Sequence, residues 1–259
     1  MKIVRYREGD LMKWGVMEED SIREMDGDPF RPFHLTSKAK GLQEIKLLSP
    51  CLPSKIVALG VNYRDHAEEM KTPLPKKPLL FLKPSTSVIG PGEDIAYPKM
   101  SNRVDYEAEL AVVIRKLAKA LPVEKAAEYI LGYTCLNDVT ARDLQPKDGQ
   151  WTTAKGFDTF APIGPWIVTD IDPCHLEISS YLNGERRQHS NTKNLVFNPF
   201  HLVSFISHVM TLLPGDVIAT GTPAGIGPMV IGDKIDIVIE EIGMLSNRVV
   251  AEGPSGEQR

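Results

Sequence analysis

The segment Arg103–Ile114, with the sequence RVDYEAELAVVI, constrains the fold more than any other part of the chain. Side chains along a strand alternate between two faces. As a strand, the segment has apolar residues at every even position from 106 to 114 and places Asp105, Glu107 and Glu109 on the other face. In a helix, Glu107 and Glu109 would point in nearly opposite directions, because helix neighbours are three or four residues apart. The β-branched run Val-Val-Ile and the alternation favour a strand.

The three acids on this predicted strand allow two interpretations. Like charges on one strand face repel each other, and burial increases the repulsion. The strand can pack its apolar face and expose its acidic face to water, which the segment by itself favours. Alternatively, the acids form a cation site, because carboxylates two residues apart can reach one ion and Mg²⁺ or Mn²⁺ prefers oxygen ligands. A third acid elsewhere in the chain would support the cation site.

Length and composition limit the class of protein. The chain has 259 residues, 42% of them hydrophobic, which suffices for one large core or for a main domain with a small appendage. A net charge of −4 and the lack of a long basic run argue against nucleic-acid binding. The sequence has neither the apolar region of a signal peptide nor a bilayer-length apolar run, and its three scattered cysteines form no zinc motif. We therefore expect a cytoplasmic protein that does not contact membranes.

Short alternating segments separated by turns dominate the chain and predict a β-rich α+β fold. Pro50 and Pro53 indicate a connector, so we expect a small N-terminal domain at 1–50, a catalytic domain at 51–250 and a flexible tail at 251–259. Helices are predicted after Asn62, which can act as the N-cap, at 123–131 and at 199–213. An Asn-Gly pair within EISSYLNGE predicts a hairpin.

Two segments in the second half of the chain contain candidate site residues. Asp138 in LNDVTARD ends an apolar strand, where sites are often built, but it equally fits the N-cap of a following helix. Arg142 and Gln145 would share one face of a helical turn, either in a site or on a solvated surface. Lys155 lies among small and aromatic residues, an unusual setting for a surface lysine, and beside carboxylates it would stay charged and hold an anion.

Two further candidates lie in other segments. His66 and Glu69 are three residues apart on the predicted helix, so the glutamate can orient the histidine as a general base. This segment alone favours a solvated helix face. Thr222 in ATGTPAGIG lies in a glycine-rich loop of the kind that lets backbone approach a ligand, although a plain turn explains the glycines as well.

Taken in order, these segments resemble one known family. The motifs N-Y-x-x-H-x-x-E, F-L-K-P, Y-E-x-E-L, N-D-x-T-A-R-D-x-Q, A-K-x-F-D-T and T-G-T-P-x-G-x-G succeed one another between residues 51 and 250. This order resembles the fumarylacetoacetate hydrolase superfamily. The resemblance implies a mixed β-sandwich roll that forms a homodimer. It also implies substrates that are 2-oxo or 2,4-dioxo acids or their enols.

The resemblance also assigns roles to residues. The matching positions imply Mg²⁺ or Mn²⁺ held by Glu107, Glu109 and Asp138, with Asp105 outside the metal site. They imply substrate contacts from Arg142, Gln145, Lys155 and Thr222. They further imply a mobile lid whose pair, His66 and Glu69, acts in catalysis together with Lys155.

A metal chelated by a 2-oxo acid stabilises the enolate that forms when a bond at C3 breaks. The His–Glu pair favours C–C bond hydrolysis, as in acylpyruvate or fumarylpyruvate hydrolases, or decarboxylation of an oxaloacetate type. The alternative is a 2-hydroxyhepta-2,4-diene-1,7-dioate isomerase or 5-oxopent-3-ene-1,2,5-tricarboxylate decarboxylase of aromatic catabolism. A metal-dependent nuclease fits the negative charge poorly. A non-catalytic scaffold of the same fold is a remote alternative.

Overall fold

The structure is a computed structural model that describes residues 1–147 and 149–253. Of the predicted tail at 251–259, residues 254–259 lie outside this described part of the chain. No helix among the described residues has the length and apolar character needed to cross a bilayer.

Strands dominate the described residues, as the sequence predicts. In chain order, β1 to β20 span Lys2–Glu8, Leu11–Glu18, Ser21–Asp26, His34–Gly41, Lys46–Leu47, Ile56–Gly60, Leu79–Lys83, Val88–Ile89, Ile95–Tyr97, Val104–Tyr106, Ala108–Ile114, Ile130–Asn137, Thr140–Ala141, Ala161–Val168, Glu177–Leu182, Glu185–Asn191, Val217–Ala219, Gly227–Met229, Lys234–Ile239 and Gly243–Ala251. The α-helices α1 to α3 span Arg64–Glu69, Thr152–Lys155 and Pro199–Val209. Short 3₁₀ helices span Leu42–Glu44, Ser85–Ser87, Val123–Tyr129, Arg142–Leu144 and Thr192–Asn194. The β-rich α+β prediction is confirmed.

The strands form three sheets. The largest has twelve strands in the order β4-β3-β2-β1-β14-β12-β11-β17-β6-β7, with β5 on β1 and β8 on β14. A five-stranded sheet has the order β16-β15-β19-β20-β9, and a three-stranded sheet has the order β13-β10-β18. Because β1 pairs antiparallel with β14, the N-terminal strands continue the sheet that contains β11.

The acidic segment lies at the centre of the molecule and differs from one continuous strand. It divides at Glu107 into β10, in the three-stranded sheet, and β11, which pairs with both β12 and β17. Both faces of β11 are packed, since Leu110 and Val112 belong to one apolar cluster and Val113 to a second. The expectation of a solvent-exposed acidic face is therefore wrong, and Glu109 is only 1% exposed.

The other local predictions have different outcomes. The Asn-Gly pair forms the turn between β15 and β16, with both residues at positive φ, and this hairpin prediction is confirmed. Asn62 is not the cap of α1, because Tyr63 occupies that position. The Asn62 amide instead donates to the carbonyls of Thr220 and Phe197, so it joins the start of the helix to a distant loop. The predicted helix at 123–131 is a 3₁₀ helix, Val123–Tyr129. The helix predicted at 199–213 forms as α3, which begins at Pro199 and ends at Val209.

Candidate metal centre and active site

Three buried carboxylates converge where β11 and β12 pair. Antiparallel pairing aligns Ala108 with Asn137, and the amide of Asp138 donates to the carbonyl of Glu107 at 2.9 Å. Carboxylate oxygens of Glu107, Glu109 and Asp138 consequently lie within 4.8 Å of one another. Asp138 does not cap a helix, since the short strand β13 follows it. The structure therefore favours the site interpretation of this residue over the N-cap interpretation.

The donor set of this acidic triad fits a divalent cation. Glu109 Oε2 accepts a hydrogen bond from the Gly221 amide at 2.8 Å, whereas its buried Oε1 has no partner among the described residues. Burial, together with the nearby charges of Asp138 and Glu107, raises the pKa of Glu109 well above its usual value. A hard cation would both neutralise this carboxylate and provide the missing contact for Oε1.

Two buried lysines neutralise the remaining acids. Lys155 at the end of α2 donates to Glu107 at 2.8 Å and to Asp138 at 2.6 Å. Lys83 at the end of β7 donates to the other oxygen of Asp138 and to the Val139 carbonyl at 3.1 Å. The inference that Lys155 is not a surface lysine is confirmed by its exposure of 2%.

Arg142 connects the acidic triad to Asp105 and Gln145. Its Nη2 donates to Glu107, its Nε donates to Asp105 at 2.8 Å, and its Nη1 donates to the Gln145 side chain. Burial raises the pKa of Glu107, but the charges of Lys155 and Arg142 outweigh burial and keep this pKa well below its usual range. Arg142 and Gln145 do share one face of a helical turn, as predicted, and that turn is 3₁₀.

Asp105 lies outside the acidic triad, as expected. Its buried carboxylate also accepts from Arg103 Nε at 2.9 Å, so its two oxygens are engaged by two arginines. Asp105 therefore orients Arg142 and does not belong to the cation site.

A cavity of about 630 Å³ opens beside the triad. Among the predicted site residues, its lining includes His66, Glu107, Arg142, Gln145, Lys155 and Thr222. Glu69, Glu109 and Asp138 do not line this cavity. The rest of the wall is largely apolar and includes Leu59, Met70, Phe81 and Trp151. A larger cavity of about 880 Å³, near Phe30 and Arg115, includes none of the predicted site residues.

Helix α1 places a histidine over this cavity. His66 Nδ1 lies 3.1 Å from Glu69 Oε2, and Glu69 Oε1 accepts from the Gly225 amide at 3.1 Å. Asp65 anchors the same helix by accepting from the Ser190 hydroxyl at 2.6 Å. With Nδ1–H directed at a carboxylate, Nε2 is the nitrogen left to accept a proton. The alternative of a solvated helix face does not hold for His66, which is buried.

Two residues of the site escaped residue-by-residue prediction. Lys83 is the one buried residue of β7, and a lysine at the end of the apolar run LLFLK was the available signal. Gln188 lies in the polar run ERRQHSN of β16, which predicts an exposed strand. It is fully buried and hydrogen-bonds to Thr222, and no local signal distinguishes it from its neighbours.

Comparison with known proteins agrees with this geometry. Residues 55–250 match the family described as fumarylacetoacetate (FAA) hydrolase C-terminal, and residues 1–50 match the family described as Rv2993c-like, N-terminal. The mitochondrial oxaloacetate tautomerase Fahd2a of Rattus norvegicus is 42% identical over 80% of this chain and 70% of its own length.

Solved structures show the same fold. A 5-carboxymethyl-2-hydroxymuconate delta-isomerase from Mycobacterium smegmatis is 45% identical, with a TM-score of 0.92 over 97% of this chain and 100% of that one. A maleylpyruvate hydrolase from Sphingobium sp. SYK-6, in complex with manganese (II) and pyruvate, is 31% identical, with a TM-score of 0.81 over 98% and 100% of the two chains. The chain belongs to the fumarylacetoacetate hydrolase superfamily and is an enzyme of that superfamily.

Proposed function

We propose that the protein is a divalent-metal-dependent enzyme that moves a proton on a 2-oxo dicarboxylic acid, interconverting keto and enol forms of an oxaloacetate-type substrate. One observation carries the proposal. His66, oriented by Glu69, lines the same cavity as Glu107 of the acidic triad and four side chains that can donate hydrogen bonds to substrate oxygens. A general base opposite a cation site is the arrangement that proton transfer beside a carbonyl needs.

The charges around the cavity support a doubly negative substrate. Asp105, Glu107 and Asp138 form one ion-pair network with Lys83, Arg103, Arg142 and Lys155, and Glu109 lies beside it without an ion-pair partner among the described residues. Once a divalent cation ionises Glu109, the four acids and four cations cancel, and the metal adds two positive charges. A dianion restores neutrality, and buried charge is stable only when it is paired. The tautomerase relative is named for such a dicarboxylate, oxaloacetate.

Different side chains would bind the metal, bind the substrate and transfer the proton. Glu107, Glu109 and Asp138 would hold Mg²⁺ or Mn²⁺, which withdraws electrons from the 2-oxo group and makes the C3 proton more acidic. Arg142, Gln145, Lys155 and Thr222 would bind substrate oxygens. His66 Nε2 would take the proton from C3 and return it to the enol oxygen or to carbon. The apolar wall at Phe81 and Trp151 would keep water from the exchanged proton.

C–C bond hydrolysis or decarboxylation is the second candidate. The same His66 could remove a proton from water, and the maleylpyruvate hydrolase neighbour is named for cleaving a related 2-oxo acid. The His–Glu pair alone favours this chemistry. The greater identity to the tautomerase and the isomerase makes proton transfer our first proposal.

One NMR time course tests the proposal. The protein is incubated with enol-oxaloacetate, acetylpyruvate or a 2-hydroxymuconate-type dienoate, each with Mn²⁺, with Mg²⁺ and with EDTA, beside metal-only controls. We expect metal-dependent conversion of enol- to keto-oxaloacetate faster than in the control. Acetate with pyruvate would establish hydrolysis, pyruvate from oxaloacetate would establish decarboxylation, and a shifted double bond would establish isomerisation. Equal rates with and without EDTA for every substrate would refute the metal-dependent proposal.

A further inference from the structure

Gln188 is a fully buried polar residue that touches two parts of the site. It lies in β16 of the five-stranded sheet, whereas the metal-ligand strand β11 belongs to the twelve-stranded sheet. Its Oε1 accepts from the Ala108 amide at 3.0 Å, between Glu107 and Glu109. Its Nε2 donates to the Thr222 hydroxyl and to the Pro223 carbonyl, both at 2.8 Å.

The orientation of the Gln188 amide follows from its backbone partners. The Ala108 N–H can only donate, so the oxygen of the glutamine must face it. The Pro223 carbonyl can only accept, so the NH₂ group must face Pro223 and Thr222. A flipped amide would place donor against donor and acceptor against acceptor, so backbone groups at both ends determine the orientation.

This orientation determines which way the Thr222 hydroxyl points. Because the Gln188 NH₂ group only donates, the Thr222 oxygen accepts from it and its own hydrogen must point elsewhere. No described residue accepts a hydrogen bond from this hydroxyl, and Thr222 is 5% exposed at the cavity wall. The hydroxyl hydrogen is therefore available to an oxygen atom in the cavity.

The loop that holds Thr222 is fixed to β11 on its other side as well. Thr220 donates through its hydroxyl to the Leu110 carbonyl at 2.8 Å, and the Gly221 amide donates to Glu109. A change at β11 therefore reaches Thr222 through these contacts and through Gln188. Small displacements of a hydrogen-bond donor in a site have large effects on binding.

We infer that Gln188 is a positioning residue that turns the Thr222 hydroxyl into a donor for an anionic oxygen of the substrate. The inference rests on the proposed function, because it requires an oxyanion in this cavity. Gln188 itself touches neither substrate nor metal.

Steady-state kinetics of Gln188→Glu and Thr222→Val test the inference. A carboxylate at position 188 still accepts a hydrogen bond from the Ala108 amide. It also accepts from the Thr222 hydroxyl, so the hydroxyl hydrogen turns away from the cavity. Each variant should raise KM about 10- to 100-fold, the loss of one hydrogen bond to a charged group, with kcat within about threefold. Gln43→Glu, which makes the same change at an exposed glutamine that does not line the cavity, is the matched control and should keep the wild-type KM.

The double variant separates positioning from a structural role. If Gln188 acts through Thr222, Gln188→Glu adds no further rise in KM to Thr222→Val. Equal rises in both backgrounds, or an unchanged KM in Thr222→Val, would overturn the inference. Should Gln188→Glu not fold, Gln188→Met provides the same comparison, with an expected rise of about three- to tenfold that is absent in the Thr222→Val background.

Calorimetric binding of oxalate to the Mn²⁺-loaded protein gives a readout that needs no turnover. Both single variants should weaken oxalate binding by the same factor while the Kd for Mn²⁺ stays within about threefold. If wild type binds oxalate but turns over no 2-oxo dicarboxylate, the proposed function fails and Gln188 is still tested. If wild type binds no oxalate, the inference about Gln188 is wrong.

Discussion

Replacing Glu109 with glutamine should affect the metal-free and metal-loaded protein in opposite directions. The triad oxygens lie within 4.8 Å of one another, and neither lysine contacts Glu109. At this separation each like-charged pair repels by about 3.5 kcal/mol at an effective dielectric constant of about 20. Burial and the charges of Asp138 and Glu107 raise the pKa of Glu109, which favours its neutral form and relieves part of this repulsion. We therefore expect Glu109→Gln to stabilise the metal-free protein by about 1–2 kcal/mol, or about 2–8 °C in Tm.

The metal-loaded protein should show the opposite sign, because glutamine is a weaker ligand than carboxylate. Mn²⁺ at about 100 times the wild-type Kd stabilises the folded state by about 2.7 kcal/mol. A variant that binds about 100-fold more weakly gains only about 0.4 kcal/mol at the same concentration. Wild type should therefore melt higher on adding Mn²⁺, whereas Glu109→Gln should barely respond.

Thermal melts in EDTA measure the stability of the metal-free protein, and melts over a Mn²⁺ titration measure that of the metal-loaded protein. Calorimetry gives the Kd for Mn²⁺. Glu185→Gln is the matched control, because it makes the same change at an exposed carboxylate whose partner is Arg187. This control should reproduce the wild-type response to Mn²⁺. A wild-type Mn²⁺ shift in Glu109→Gln would refute the assignment of this acid as a ligand. A Tm in EDTA more than about 5 °C below wild type would refute the repulsion argument.

Three further variants test the surrounding residues. His66→Asn should lower kcat about 10²- to 10⁴-fold by removing the base, with the calorimetric Kd for Mn²⁺ within about threefold of wild type. Lys83→Met leaves Asp138 with one ammonium partner, so the free energy of unfolding in urea should fall by about 3 kcal/mol. A fall of less than about 1 kcal/mol would contradict the importance of the buried Lys83–Asp138 pair. Asp105→Asn should raise KM about tenfold, because Arg142 loses the carboxylate that orients it. If Asp105→Asn raises KM equally in an Arg142→Ala background, Asp105 does not act through Arg142.

Local patterns predicted the elements whose causes are local. The β-branched run of β11 and the Asn-Gly turn between β15 and β16 reflect preferences of a few neighbouring residues. The i, i+3 relation of His66 and Glu69 likewise needs only a helical turn. The placement of His66 in the cavity beside the triad needed the resemblance to a family, because no local rule brings α1 to the triad.

Predictions failed where distant contacts decide the structure. Asn62 is a favourable N-cap residue, yet its amide bonds to Thr220, 158 positions away, and that contact outcompetes the local cap. The alternation around Glu109 indicates one solvent-exposed face, but apolar clusters pack on both faces of β11 and bury it. A period-two pattern does not predict that this face is buried. The acids make the face look polar and exposed, although they belong to a buried candidate site.

The acidic strand is stable in the core because cations from remote segments meet it. Lys83 is 55 positions from Asp138, and Lys155 is 48 positions from Glu107. In the sequence Lys83 ends an apolar strand and Lys155 lies among small and aromatic residues, and only the tertiary fold brings β7 and α2 to the buried acids. Glu109 receives no such cation, and its Oε1 has no partner among the described residues. A fold that compensates two of three adjacent carboxylates and leaves the third uncompensated is one in which a bound cation would supply the missing charge.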